Sequence, residues 1–156
     1  AAGLVEALRA GRLYSAGQYI KGAGLRLEQF RVECEGGARG AGSGESLDPN
    51  GARDVAVRVR VTAVDQGARP ITLTLIRSGQ VAATLTGVTP FEQVLSDPGA
   101  PPGVWNFYRV SVQGQGSEIL SNPIFVGPVP AVQYDELGRP IQPDPDAAPA
   151  AEPRGL

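Results

Sequence analysis

Residues 54–61 read DVAVRVRV. Val55, Val57, Val59 and Val61 fall on one side of an extended chain. Ala56, Arg58, Arg60 and Thr62 fall on the other. A period of two, with one apolar side and one wet side, predicts a strand of an antiparallel sheet that is buried on one face. A slip of one residue would bury Arg58 and Arg60, so the register is firmly specified.

The same alphabet extends in both directions. Downstream, ITLTLIRSGQVAATL (71–85) predicts a hairpin. Ile71, Leu73 and Leu75 alternate, Ser78-Gly79 turns the chain, and Val81, Ala83 and Leu85 alternate back. FEQVL (91–95) predicts a further strand, and SDPGAPPG (96–103) a loop whose prolines cannot donate ladder hydrogen bonds. In VWNFYRVSV (104–112), Tyr108, Val110 and Val112 share one face, and Phe107, Arg109 and Ser111 the other. EIL, a kink at Ser121-Asn122-Pro123 and IFV close the pattern. Upstream, Leu25, Leu27 and then Phe30 or Val32 predict a first strand through Cys34, with room for a bulge. Residues 36–52 are glycine-rich and are expected to form a long loop.

About seven short strands with regular turn signals predict a mainly β, antiparallel two-sheet sandwich of immunoglobulin-like size over residues 21–127. Residues 1–20 form a helix and connector in this scheme. Leu4, Val5 and Leu8 share a face of a helix over 2–10, and Gly11 stands where a left-handed cap belongs. A helix so short must dock on something. From Pro128 to Leu156 the composition turns to Pro, Ala, Asp and Glu and predicts a flexible tail or linker. Within it, VQYDELGRPI could dock as an extended strand through Val132, Tyr134 and Ile141.

The chain has 156 residues, of which 42% are hydrophobic, enough for one domain with its own core. A net charge of −2 and the lack of a basic run exclude the electrostatic footprint of a nucleic-acid binder. No apolar run approaches the length of a membrane helix, and AAGLVEALRAGR lacks the basic start and apolar block of a signal peptide.

Chemistry is constrained chiefly by histidine, which is absent, and by the single cysteine, Cys34. A cysteine nucleophile needs an activating base, so Cys34 is expected to be a small buried apolar residue. Glu6, Glu28, Glu33, Glu35, Glu45, Asp48 and Asp54 could offer oxygen ligands, but no calcium-loop spacing links them, and solvated carboxylates are the simpler expectation. Ser15, Ser43 and Ser78 lack a basic partner apart from the one lysine, Lys21. The glycines of 36–44 lack the Gly-Lys-Ser/Thr ending of a phosphate loop. No catalytic, cofactor or metal residue is therefore assigned. The expected interaction surface comprises Leu4, Val5 and Leu8 of the helix, with Trp105 and Phe107. Aromatics of this kind usually fill a core or its edge; displayed with Phe107 or Tyr14, Trp105 would stack on a sugar or a partner.

Three segments together resemble the C-terminal part of the PHP (polymerase and histidinol phosphatase) family of metallohydrolases, in its CehA/McbA-like branch. LVEALRAGRLYSAG (4–17) is similar to the helix and strand that follow the last metal ligands. ITLTLIRSGQVAATL resembles an arginine-small-glycine hairpin of the appended β-domain. PPGVWNFYRVSVQG with ILSNPIFV (101–126) resembles its closing strands. The resemblance implies an accessory β-domain of a metal-dependent phosphoesterase, with the catalytic barrel as its partner. The divalent metals and their His-Xaa-His ligands would lie outside this chain, before Ala1. The alternative expectation is a free-standing sandwich of the cell envelope that binds carbohydrate or protein. A homo-oligomer is a further partner expectation.

Overall fold

A computed structural model of the chain describes residues 5–7, 11–34, 37–49, 55–97 and 104–128. Among the described residues, eleven strands build two sheets. The smaller sheet has the order β3-β2-β5-β8: β2 is Leu25–Cys34, β3 Arg39–Gly42, β5 Val55–Ala63 and β8 Phe91–Asp97. The larger sheet runs β7-β6-β9 and continues onto a strand split in two, β10 and β11. Here β6 is Pro70–Arg77, β7 Gln80–Val88, β9 Asn106–Gly114, β10 Ser117–Ser121 and β11 Ile124–Val126. Beyond the split strand, β1 (Tyr14–Gln18) pairs with β10 antiparallel, and β4 (Ser46–Leu47) pairs with β11 parallel. All other pairings are antiparallel.

The predicted alternation decides which side faces in. Val57, Val59 and Val61 are fully buried against Leu73, Tyr108, Val110 and Val112 of the larger sheet. A bulge at Glu28 resolves the first strand: Leu25 and Leu27 point inward before it, and Phe30, Val32 and Cys34 after it. The expected β-sandwich is thus the observed fold, with Cys34 in its core.

Three details depart from the sequence expectation. Val81 is 66% exposed, because a bulge at Ala82 turns it outward opposite Ile76 while Ala83 and Leu85 stay half-buried. The segment expected as one loop over 36–52 contains β3 and β4. Main-chain ladders form these strands with one buried apolar side chain each, Ala41 and Leu47, and Gly40 lets the Arg31 guanidinium lie across it, where a Cβ would come within 2.8 Å of Nε. Finally, the larger sheet takes in Tyr14–Gln18, which lies upstream of residue 21, where the sequence scheme began the sandwich.

At the N-terminal side, residues 5–7 are helical, Gly11 has φ +66°, and the Arg12 N–H donates to Ala7 O at 2.9 Å, as a left-handed cap requires. Leu4 and Leu8, residues 98–103 and residues 129–156 lie outside the described residues, while Ser96 and Asp97, expected to open a loop, end β8.

Candidate interaction surface

The split strand and the start of β9 position the aromatic side chains. Phe107 points away from the core because its neighbours Asn106 and Tyr108 are buried on the inner side. Phe125 stands opposite Phe107 on β11. Trp105, 37% exposed, meets Phe125 edge-on, with ring centroids 5.7 Å apart and planes at 63°. Such edge-to-face pairs are a favoured geometry of ring quadrupoles.

The backbone beneath this trio is fixed. A Cβ on Gly127 would come within 2.9 Å of Trp105 Cα, so only glycine permits β11 to end against the Trp105 main chain. The Asn106 side chain donates to Val104 O at 3.0 Å and accepts from Ser78 Oγ at 3.1 Å. The Ser78 N–H donates to Phe107 O at 2.8 Å. Ser78 and Gly79 both take positive φ, so the β6–β7 turn packs beside the aromatic cluster. In the next outward row, Ile76 stands opposite Arg109, whose Nε is buried without a hydrogen-bond partner. Val81 continues that row on β7. Farther along, Thr72, Thr74, Thr84, Thr86, Ser111 and Gln113 cover the same face.

The outer face of the smaller sheet is different. Glu33 lies 3.4 Å from Arg31 and 3.6 Å from Arg58, and Arg58 reaches Glu92 at 3.8 Å. Arg26 and Glu28 are 3.6 Å apart, and the Thr62 hydroxyl donates to Glu28 at 2.9 Å. These last groups, with Arg60 and Pro90, line a shallow cleft of about 340 Å³. Arg26 and Glu28 pair with each other there, and Arg60 stands exposed at its side.

One polar cluster is interior. Arg77 of β6 donates to Asp97 of β8 at 2.6 Å, and the buried Tyr108 hydroxyl donates to the same carboxylate at 3.2 Å. Burial, together with the Asp97 charge, pushes the Tyr108 hydroxyl well above the ordinary tyrosine value. At the β5–β6 connection, the Arg69 guanidinium and the Gly67 N–H hold the exposed Asp65 carboxyl below its usual value.

Of the residues expected to form an interaction surface, Trp105 and Phe107 both lie outside the core, one against the Phe125 ring and the other opposite Phe125 in the ladder, and Val5 is 46% exposed on the helical turn. Tyr14 is not part of this group. It lies on β1, beside Leu13, Leu27 and Phe30. Phe125 escaped the sequence reading, although its place between Ile124 and Val126, after the Asn-Pro kink, already put it on the outer side. Among the carboxylates weighed as metal ligands, Glu28, Glu33 and Glu45 each face arginine. Glu35 and Asp54 lie outside the described residues. Among the described residues, no group of three or more His, Cys, Asp or Glu could hold a metal ion. No helix among the described residues is long and apolar enough to cross a membrane. Compared with known proteins, the chain matches no family model and no curated protein sequence.

Proposed function

We propose that this chain is a non-catalytic accessory β-sandwich of a PHP-type metal-dependent phosphoesterase, which packs on or organises a catalytic barrel. The observation that carries the proposal is the outer face of the larger sheet. There Trp105, Phe107, Phe125, Ile76 and Val81 form a largely apolar face in which Arg109 is the charged neighbour, whereas the outer face of the smaller sheet carries its own ion pairs. Buried docking surfaces are depleted of charge and enriched in aromatics in the same way. The absence of histidine supports the division of labour, since imidazole ligands would have to come from the barrel. The reading frame upstream of Ala1 tests the parentage: a His-Xaa-His pair is expected, and an upstream frame without one would sink it. Phosphoesterase turnover or a tightly held transition ion in the purified 156-residue chain would count against a non-catalytic role.

A second reading is favoured by Trp105 itself. Its ring is partly exposed and braced by Phe125, a platform on which a sugar face could stack. In this reading the chain is a free-standing module that binds carbohydrate or protein. A glycan-binding screen with Trp105→Ala as the control separates the two: equal signals from both proteins would dispose of the carbohydrate reading.

A further inference from the structure

The edges of the two sheets are protected unequally. Edge strands expose unpaired N–H and C=O groups, and proteins blunt them with short length, charge, proline or bulges. β3 has four residues, β1 has five and β4 has two. β8 has seven and carries Glu92 and Asp97. β7 is different. It runs nine residues, QVAATLTGV, with no Asp, Glu, Lys, Arg or Pro, and among the described residues it pairs only with β6. Its one guard is the bulge at Ala82, which leaves Ala83–Val88 regular.

We propose that β7 is a self-association edge, where a second copy of this chain adds its own β7 antiparallel and joins the two larger sheets into one. The sequence of the strand selects a second copy. A two-fold axis sets each residue against one from the same strand, so any charge would meet charge of its own kind nearby, and β7 has none. Centred on Leu85, the pairing puts Leu85 against its copy, Thr84 against Thr86, and Ala83 against Gly87. Like sizes then oppose one another, and threonines face threonines, a favourable cross-strand pair. The register also keeps each side in place: Thr84 and Thr86 stay outward opposite Thr74 and Thr72, while half-buried Ala83 and Leu85 stay on the core side. Gly87 fits here because the Phe91 ring already fills the space where a Cβ would sit, 2.3 Å away.

Sedimentation equilibrium of the 156-residue chain over a wide concentration range tests this. A monomer–dimer equilibrium is expected. Thr84→Lys should weaken the dimer by about tenfold or more, because it adds the lysine guard that natural edges carry. Thr84→Lys combined with Thr86→Glu should restore it at low salt, because each lysine then faces a glutamate of the other copy. Thr74→Lys, on the same face but one strand inward, should leave it unchanged, and circular dichroism melts of all variants verify folding. A chain that stays monomeric at every concentration overturns the proposal. So does a dimer indifferent to Thr84→Lys, or one weakened equally by Thr74→Lys. Failure of the double variant to recover overturns the register centred on Leu85.

Discussion

The two sheets place their charges in opposite ways. The smaller sheet buries valine inside and wears its ionic groups outside, where Glu33 sits between Arg31 and Arg58. The larger sheet carries mainly threonines, serines and an aromatic cluster outside, with Arg109 and Glu118 set among them. Its strongest ionic contact, Arg77 with Asp97, is turned inward and reaches across to the other sheet. The contrast shows how one pattern of alternation can serve two ends. Ion pairs along and across the strands satisfy much of the smaller sheet's surface from within and leave little for a partner to gain. A surface of hydroxyls and rings is tolerated by water but loses little on being covered.

The contrast depends first on which side of each strand is interior. Leu73 and Thr74 are adjacent on β6, one fully buried and one facing out. Leu73→Ala should lower unfolding free energy by about 3 kcal/mol. Thr74→Ala should stay within about 0.5–1 kcal/mol. Equal losses in urea denaturation would mean that the assignment of inside and outside is wrong.

The inward ionic cluster gives a pH signature that the outward one lacks. The Tyr108 hydroxyl is held above its ordinary value of 10.0 by burial and by Asp97, so folding favours its neutral form. That contribution is complete below the unfolded value and is lost as pH rises beyond it. Stability should therefore fall above pH 10 by up to about 1.4 kcal/mol per pH unit from this group. Tyr108→Phe should remove that slope while costing about 1 kcal/mol at neutral pH. Denaturation at stepped alkaline pH measures both, and identical slopes in the two proteins would contradict the assignment.

The outward ladder should respond to salt instead. Arg31 and Arg58 are direct cross-strand partners, and Glu33 separates their charges. Glu33→Gln should cost about 1 kcal/mol at low ionic strength, and most of that loss should disappear in molar salt. Thr72→Val, in the larger sheet, should show no such dependence. A salt-insensitive Glu33→Gln would erase the distinction between the faces.

Much of this architecture was legible in the residues. Val55 to Val61 specify their strand because any slip would bury arginine, and Asn122-Pro123 marks the break between β10 and β11 because proline cannot serve the ladder there. β3 and β4 were hidden because Arg39-Gly40-Ala41-Gly42 carries no side-chain periodicity; its pairing is written in main-chain geometry that β2 imposes. Val81 misled because the pattern counts residues and cannot see that Ala82 adds one. At the candidate surface, Trp105 and Phe107 were identifiable as aromatics two apart. Their meeting with Phe125 needed the fold, since the contact joins strands far apart in sequence. Arg77 follows Ile71, Leu73 and Leu75 inward by the same period of two, but its meeting with Asp97 and Tyr108 joins three strands and needed the fold.

The kink at Asn122 has a mechanical corollary. With the ladder interrupted there, its N–H is left to donate to Leu13 O at 3.1 Å, and its side-chain amide donates to Gly11 O at 2.9 Å. The incoming polypeptide is thereby bolted to the sandwich at carbonyls, which every amino acid possesses. The angle at which the leading segment meets the sheet is set by this bracket and is indifferent to the side chain at position 13, whereas position 11 is kept for glycine by its positive φ. Mutational drift in that leader could change what it touches without changing where it is hinged.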